Sequence, residues 1–117
     1  MKTAKPVVQF RLRIRKGAHV AIGPGKVALL EAIARTGSIT AAAKSLEMSY
    51  RRAWLLVDEM NACMRTPVIE TATGGSNGGG SQLTATGAEV VRLYRAIEQL
   101  AESAVADPLN ELTRHLR

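Results

Sequence analysis

The stretch Thr36–Trp54, TGSITAAAKSLEMSYRRAW, contains two helix starts separated by a short turn. Ser38 is placed to cap a helix predicted over Ile39–Leu46, whose alanine run combines high helix propensity with side chains small enough for close helix approach. Ser49 is placed to cap the next helix, which ends before Pro67. The apolar stripe predicted for that helix is Ala53, Leu56 or Val57, Met60 and Met64. This pattern predicts two short helices joined by a tight turn.

Upstream of this stretch, the hydrophobic period changes from helical to alternating. Val8–Ile14 alternates apolar and polar residues, which predicts a strand with one buried face, and Val20–Ile22 is a candidate second strand. The other face of the first strand carries a row of arginines. That row either lies along phosphates or forms a solvated edge that discourages aggregation. From Lys26 the period is helical, and Gly37 stands where a C-terminal cap belongs.

Downstream, two short strands flank a segment rich in glycine and serine. Val68–Thr71 and Gln82–Thr84 are predicted to pair as a hairpin with a long tip, rather than to flank an interdomain linker, because only one further helix follows. Thr86 is predicted to cap that last helix. Asp107 and Pro108 are predicted to break or kink it, leaving a short extra turn. The apolar stripe of the last helix comprises Val90, Leu93, Tyr94, Ile97, Leu100, Ala101 and Ala104.

The order strand, helix, helix, helix, hairpin, helix predicts a winged helix-turn-helix fold, mainly α with a small β-sheet. We interpret the chain as a single domain over residues 1–117. Its predicted parts are an N-terminal strand region (7–22), a three-helix core (26–66), a wing (68–84) and a C-terminal helical dimerisation segment (86–117).

The predicted function follows from how a helix meets DNA. The N-terminal residues of a helix in the major groove contact base edges, and its free backbone amides favour phosphate. The candidate DNA contacts are Ser38, Thr40, Ser49, Tyr50, Arg51 and Arg52 on the helices, with Thr73, Ser76 and Asn77 in the wing. One of Arg51 and Arg52 is a candidate for a bidentate contact to guanine and the other for phosphate, and the sequence leaves open which. The alternative is that both arginines are ordinary solvated residues that contact no DNA.

Composition and charge narrow the class of partner. The chain has 16 Lys and Arg against 10 Asp and Glu, and the excess lies in the N-terminal quarter, which favours nucleic acid or anionic lipid over a merely solubilising tail. The sequence shows no signal-peptide pattern, so we expect a cytoplasmic protein. Cys63, the one cysteine, is predicted to be a small core residue, and Trp54 to pack its helix. We expect no enzyme activity, metal or cofactor, because the histidines stand alone and no nucleophile motif is present.

Several motifs together resemble the N-terminal DNA-binding domain of the ModE family of molybdate-responsive regulators and, more distantly, the LysR-type winged helix. They run from Gly23-Pro24-Gly25-Lys26 into Leu29-Leu30-Glu31-Ala32-Ile33, through Thr36-Gly37-Ser38-Ile39, Ala41-Ala42-Ala43, Met48-Ser49-Tyr50-Arg51-Arg52-Ala53-Trp54 and Glu59-Met60-Asn61, to Glu70-Thr71-Ala72-Thr73-Gly74-Gly75, Leu83-Thr84 and Gly87. The resemblance covers nearly the whole chain.

The resemblance implies a homodimer on a palindromic operator in double-stranded DNA, with the third helix in the major groove and the wing tip from Thr73 to Ser81 on the flanking backbone. Two-domain members continue into an oxyanion-binding module, and this chain ends at Arg117, so the resemblance does not extend to molybdate sensing. A separate ligand-sensing protein is a candidate partner, and the sequence leaves open whether one supplies that signal. Members also often carry a basic residue in the wing, where this chain has Ser76 and Asn77. The alternative function is a protein-interaction or adaptor module that keeps the fold and reads no specific DNA.

Overall fold

The computed structural model describes residues 4–72 and 80–117, which form helices and two small antiparallel sheets. The elements in chain order are β1 (Ile14–Lys16), β2 (His19–Ile22), α1 (Pro24–Thr36), α2 (Ile39–Ser45), α3 (Tyr50–Cys63), β3 (Ile69–Ala72), β4 (Gly80–Leu83), α4 (Ala85–Ala104) and α5 (Ala106–Thr113). The architecture is the mainly helical winged helix-turn-helix that the sequence predicted. None of the helices in these two ranges combines the length and hydrophobicity needed to cross a bilayer.

The N-terminal strand is much shorter than its alternating pattern predicted. β1 begins only at Ile14 and pairs with β2, with an irregular register between Ile14 and Arg15. Val8 and Phe10 are 45% and 37% exposed, so the expected buried face does not form there. The four-residue β2 gives the segment before Ile14 no strand to pair with, and alternation alone cannot supply the missing hydrogen bonds. The predicted second strand at Val20–Ile22 is present within β2.

The core lies where α1, α2 and α3 meet. Its largest fully buried side chains are Leu29, Leu30, Ile33, Met60, Val27, Val57 and Val68. α1 ends as predicted at Gly37, which adopts a left-handed φ of 73° and donates its N–H to the Ile33 carbonyl at 2.8 Å. Met64 caps α3 and is half-buried against the core. Cys63 is also half-buried, so its prediction as a core residue was wrong: the last turn of α3 lies at the margin of the core.

The wing strands β3 and β4 pair in regular antiparallel register from Ile69 opposite Leu83 to Ala72 opposite Gly80. Hydrogen bonds to the end of α1 and to α3 help to fix this hairpin to the helical core. The Ser81 amide donates to the Gly37 carbonyl at 2.9 Å, which joins β4 to the end of α1. The Asn61 carboxamide oxygen of α3 accepts from the Val68 amide at 2.8 Å, at the start of the hairpin. The base of the wing is therefore held by two different helices.

The start of α4 differs from the prediction by two residues. Thr84 is the N-cap, and its hydroxyl accepts from the Gly87 amide at 3.0 Å, whereas Thr86 lies inside the first turn. Thr84 serves as the cap because its hydroxyl also donates to the Pro67 carbonyl at 2.6 Å, while its amide bonds the Val68 carbonyl at 3.0 Å. Thr86 instead hydrogen-bonds Thr66. Tertiary contacts with the segment before β3 therefore select the cap.

The C-terminal helices extend away from the core. α4 ends at Ala104 and α5 begins at Ala106, so the break precedes the Asp107-Pro108 pair predicted to cause it. Pro108 falls within the first turn of α5, where a missing N–H breaks no intrahelical hydrogen bond. α5 is a helix of eight residues, longer than the single turn predicted. The molecule is elongated, with principal extents of 58 × 35 × 24 Å.

Candidate nucleic-acid interface

The first turn of α3 presents three large side chains to solvent. The Ser49 hydroxyl accepts from the Arg52 amide at 3.1 Å and so caps the helix as predicted. Tyr50 is 55% exposed, and Arg51 and Arg52 are both exposed. No acidic residue occupies this turn, so two guanidinium groups stand at the positive end of the helix dipole. That arrangement is unfavourable unless an anion lies nearby.

The turn between α2 and α3 sets the angle at which α3 leaves the core. Glu47 adopts a left-handed φ of 55°, and the Met48 amide donates to the Ala43 carbonyl at 2.9 Å. At the other end of α2, the Ser38 hydroxyl accepts from the Ala41 amide at 3.1 Å. The hydroxyl oxygens of Ser38 and Ser49 are therefore both engaged as caps, while each hydroxyl proton remains available to an acceptor outside the protein.

A groove of about 320 Å³ brings the starts of α2 and α3 against the base of the wing. Ser38, Thr40 and Tyr50 line it, so three of the predicted contacts meet on one surface. The facing wall comes from Thr71 and Ala72, which sequence reasoning did not assign to the site, and from Gly80 and Ser81, which end the wing tip that the resemblance assigned to it. Only the pairing of β3 with β4 brings these residues opposite α2 and α3, and no local motif signals that placement.

A second cleft, of about 490 Å³, runs along the outer face of α3. Arg51 and Arg52 line it with Leu55, which is 53% exposed, and Asp58. This face of α3 lies away from the buried residues Ala53, Val57 and Met60. Within residues 4–72 and 80–117, neither arginine forms an ion pair with a carboxylate. Both guanidinium groups therefore retain their five donors for a ligand.

Trp54 lies between the groove and the cleft and lines both. Its ring meets that of Tyr50 edge-on, with centroids 6.1 Å apart and planes at 78°, and it packs half-buried against the core. The packing role predicted for it agrees with these contacts. The indole Nε1 is buried and has no acceptor among the described residues. The aromatic pair restricts the directions in which the exposed Tyr50 ring can point.

An ion pair beneath this surface was not visible in the sequence. The Lys26 ammonium is 2.9 Å from the Glu59 carboxylate and also donates to the Val20 carbonyl. The Lys26 side chain is 6% exposed and that of Glu59 33%. The hydrogen bond from Lys26 holds the pKa of Glu59 below its usual range. This pair joins β2, α1 and α3, and so fixes the helix that carries Arg51 and Arg52.

The remaining predicted contacts, Thr73, Ser76 and Asn77, lie outside the described residues. Among the residues that are described, no group of three or more His, Cys, Asp or Glu side chains is arranged to hold a metal ion. The described part of the candidate interface therefore consists of the starts of α2 and α3 and the base of the wing.

A protein-family model matches more than half of the chain. Residues 25–88 match the bacterial regulatory helix-turn-helix protein, LysR family. The match spans α1, the helix-turn-helix, the wing and the start of α4.

Curated relatives align with most of the chain. It is 40% identical to the molybdenum transport protein ModE of Azotobacter vinelandii over 88% of its own length, and 44% identical to the molybdenum-pterin-binding protein MopB of Rhodobacter capsulatus over 83%. It is 38% identical, over 76%, to the DNA-binding transcriptional dual regulator ModE of Escherichia coli K12. The chain spans 39%, 34% and 37% of the lengths of these three relatives.

A solved structure with the same fold is a chain of the CbnR_DBD-DNA complex. It superposes with a TM-score of 0.57 and 23% sequence identity, covering 75% of this chain and 95% of that one. At this identity the likeness concerns the fold.

Proposed function

Because this chain belongs to the LysR family of bacterial regulatory helix-turn-helix proteins, we propose that it binds double-stranded DNA as a transcription regulator, without chemistry of its own. The observation that carries the proposal is the first turn of α3, where Tyr50, Arg51 and Arg52 are exposed, have no acidic neighbour in the turn and follow the Ser49 cap. A relative named as a DNA-binding regulator supports it. Chromosomal DNA as the partner implies that the protein works in the cytoplasm.

In this proposal α3 enters the major groove with its N-terminal end toward the base edges. Arg51 or Arg52 donates two hydrogen bonds to the O6 and N7 of a guanine, and the other arginine binds a phosphate. Ser38 and Thr40, at the start of α2, contact the sugar-phosphate backbone beside the groove. Thr73, Ser76 and Asn77 in the wing tip provide further neutral contacts to the flanking backbone.

The apolar stripe of α4 supports a homodimer. Tyr94 is buried, and its hydroxyl donates to the Leu12 carbonyl at 2.8 Å, but Leu93, Ile97 and Leu100 are 45%, 44% and 71% exposed. Leu112 and Leu116 extend the exposed apolar surface at 64% and 59%. A second copy packing the same surface against this one would bury the stripe with two-fold symmetry. A palindromic operator follows from that symmetry.

Leu100→Glu is the variant that tests the dimer. A carboxylate at the centre of an apolar interface stays unpaired, so we expect the variant to sediment as a monomer at micromolar concentration where the wild type sediments as a dimer. Gln99→Glu is the matched control, because it adds the same charge at an adjacent exposed position of α4. A dimer that survives Leu100→Glu, or a wild-type monomer, would remove this stripe from the interface.

The operator can be selected from sheared genomic DNA with the full chain. Two of the three relatives above are named for molybdenum transport or for binding of molybdenum-pterin. On that basis we propose that the bound fragments lie upstream of genes for molybdenum handling. The selected fragment then serves as the specific probe for the variants below.

Arg51→Ala and Arg52→Ala test recognition by α3. The variant that loses the guanine contact is expected to raise the Kd for the selected operator about 5- to 150-fold, which corresponds to about 1–3 kcal/mol, and to relax specificity at one base pair. The variant that loses a phosphate contact should weaken binding to all sequences alike. Arg114→Ala, in an exposed position after α5, controls for the change in net charge.

The salt dependence of binding separates this function from an adaptor role, which the family match does not favour. A DNA-binding protein loses affinity for random duplex steeply as salt rises, with a slope set by the number of phosphates that it neutralises. An adaptor with this fold would bind duplex weakly at every salt concentration. Unchanged operator affinity in both arginine variants would exclude α3 as the recognition helix.

A further inference from the structure

A third cleft, of about 360 Å³, lies where the N-terminal segment passes α3, and three arginines line it. Arg11 and Arg13 come from the segment before β1, and Arg52 comes from the first turn of α3. The ion pair of Lys26 and Glu59 also lines this cleft. Two segments that are distant in the sequence therefore contribute arginines to one opening.

The charges around this cleft are not balanced by the protein. Glu59 is paired with Lys26, so these two groups offset each other. Within residues 4–72 and 80–117, Arg11, Arg13 and Arg52 form no ion pair, and Arg11 makes only a weak hydrogen bond of 3.3 Å to the Gln9 side chain. Three like charges around one cleft repel one another, and an anion bound there would relieve the repulsion.

The N-terminal segment is held against the core at Leu12, between the two arginines. The Leu12 carbonyl accepts from the Tyr94 hydroxyl at 2.8 Å, and its side chain packs half-buried on the core. Gly23 lies against the same segment, since a Cβ there would stand 3.4 Å from the Arg13 Cγ. Arg11 and Arg13 thus flank a fixed point of the backbone, which limits how far their side chains can move from α3.

Arg52 connects this cleft to the proposed recognition surface. It lines the outer cleft of α3 with Arg51 and the third cleft with Arg11 and Arg13. The two clefts therefore share Arg52, and the four arginines that line them, here called the basic strip, lead from α3 to the N-terminal segment. If α3 occupies the major groove, Arg11 and Arg13, at the other end of the strip, lie beside the sugar-phosphate backbone that borders that groove.

We propose that Arg11 and Arg13 bind phosphates of the duplex outside the base pairs read by α3, so that the N-terminal segment extends the DNA footprint. This inference rests on the proposed DNA-binding function and adds a partner contact to it. The opening is a surface cleft lined by three arginines, which suits a chain of phosphates passing across it.

The test compares Arg11→Gln/Arg13→Gln with two controls in the full chain. Binding to a random-sequence duplex of about 30 base pairs is measured over a range of salt concentrations, and each lost phosphate contact should reduce the slope by about 0.9. The glutamine double variant removes two arginines from each protomer, so we expect the slope to fall by about 1.8 per bound protomer, or about 3.6 for the proposed dimer. It should stay unchanged in Arg11→Lys/Arg13→Lys, which keeps both charges, and in Arg114→Gln/Arg117→Gln, which removes two charges elsewhere.

Hydroxyl-radical footprinting on the selected operator supplies a second measurement, and the glutamine double variant should lose protection only at the edges of the footprint. A wild-type slope and footprint in that variant would overturn this inference while leaving the proposed function intact. Absence of salt-dependent duplex binding by the wild type would instead overturn the proposed function. If inorganic phosphate at constant ionic strength raises the Tm of the wild type but not of the glutamine variant, and the DNA slope is unchanged, the cleft binds a small anion and the inference fails.

Discussion

Replacing Gly87 with alanine is expected to lower the free energy of unfolding by about 3 kcal/mol, near the upper end of the usual cost of overpacking. A Cβ at Gly87 would stand 2.1 Å from the Val68 carbonyl oxygen and 3.0 Å from its carbonyl carbon. Both are backbone atoms, so no rotamer change can relieve the contact, and α4 must move away from the start of the wing. Chemical denaturation would measure the loss, and a fall in Tm of about 10 °C should accompany it.

Gly25→Ala is the matched control for this variant. Gly25 also lies in the first turn of a helix, but a Cβ there would meet nothing within 4 Å. Alanine should leave stability unchanged or raise it by up to about 1 kcal/mol, because glycine loses more backbone entropy on folding. If both variants melt together with the wild type, α4 does not contact the Val68 backbone as closely as described.

The Gly87 contact matters because several hydrogen bonds of the wing depend on it. Val68 is fully buried; its carbonyl accepts from the Thr84 amide at 3.0 Å, and its own amide bonds Asn61 at 2.8 Å. Any movement of α4 away from Val68 strains these bonds. We therefore expect the glycine to be needed for the wing to keep its position beside α3.

The parts of the fold that the sequence predicted are those fixed by nearby residues. Ser38 and Ser49 each bond the amide three positions later, and Gly37 closes α1 in a left-handed conformation. Such caps are readable because the donor, the acceptor and the required φ all lie within one turn. A serine directly before a helix-forming run was sufficient to predict where α2 and α3 begin.

The parts that could not be predicted depend on distant partners. The alternation of Val8–Ile14 has the period of a strand, yet only Ile14 finds a partner in β2. Thr84 and Thr86 are equally good caps in isolation, and contacts with Pro67 and Val68 decide between them. The Arg95 side chain bonds Glu31 at 3.0 Å across the α1 and α4 surfaces, and no local pattern relates these two residues.

In the candidate interface too, some residues could be predicted from nearby sequence and others depend on distant contacts. Arg51 and Arg52 follow from helical spacing, because a residue's face is set once the helix start is known. The nearness of Arg11 and Arg13 to Arg52 does not follow, since it requires the N-terminal segment to be held by Tyr94 of α4. From the sequence, the row of arginines could either bind phosphates or form a solvated edge. Only the folded chain shows that part of the row lies near α3.

Glu59→Gln is the second variant with a large expected effect, a loss of about 2–3 kcal/mol in the free energy of unfolding. The amide removes the charge that balances the buried Lys26 ammonium, which keeps only the Val20 carbonyl as a certain acceptor. Breaking a fully buried pair costs about 3–5 kcal/mol, and the partial exposure of Glu59 places this one below that range. Urea denaturation of the full chain at neutral pH measures the loss.

The double variant Lys26→Met/Glu59→Gln distinguishes two causes of the lost stability, an unpaired buried charge and lost packing. If the cost arises from the unpaired ammonium, removing that ammonium as well should restore stability to within about 1 kcal/mol of the wild type, whereas lost packing would make the double variant worse than either single one. The pH dependence gives an independent check. The pKa of Glu59 is lowered in the folded state, so its ionised carboxylate stabilises the fold. This stabilisation is fully present above the usual carboxyl pKa of 4.5 and is lost as the pH falls through the lower folded value. The difference in the free energy of unfolding between the wild type and Glu59→Gln should therefore shrink on acidification. If that difference stayed constant down to about pH 3, the carboxylate charge would not be what holds Lys26 and α3 in place.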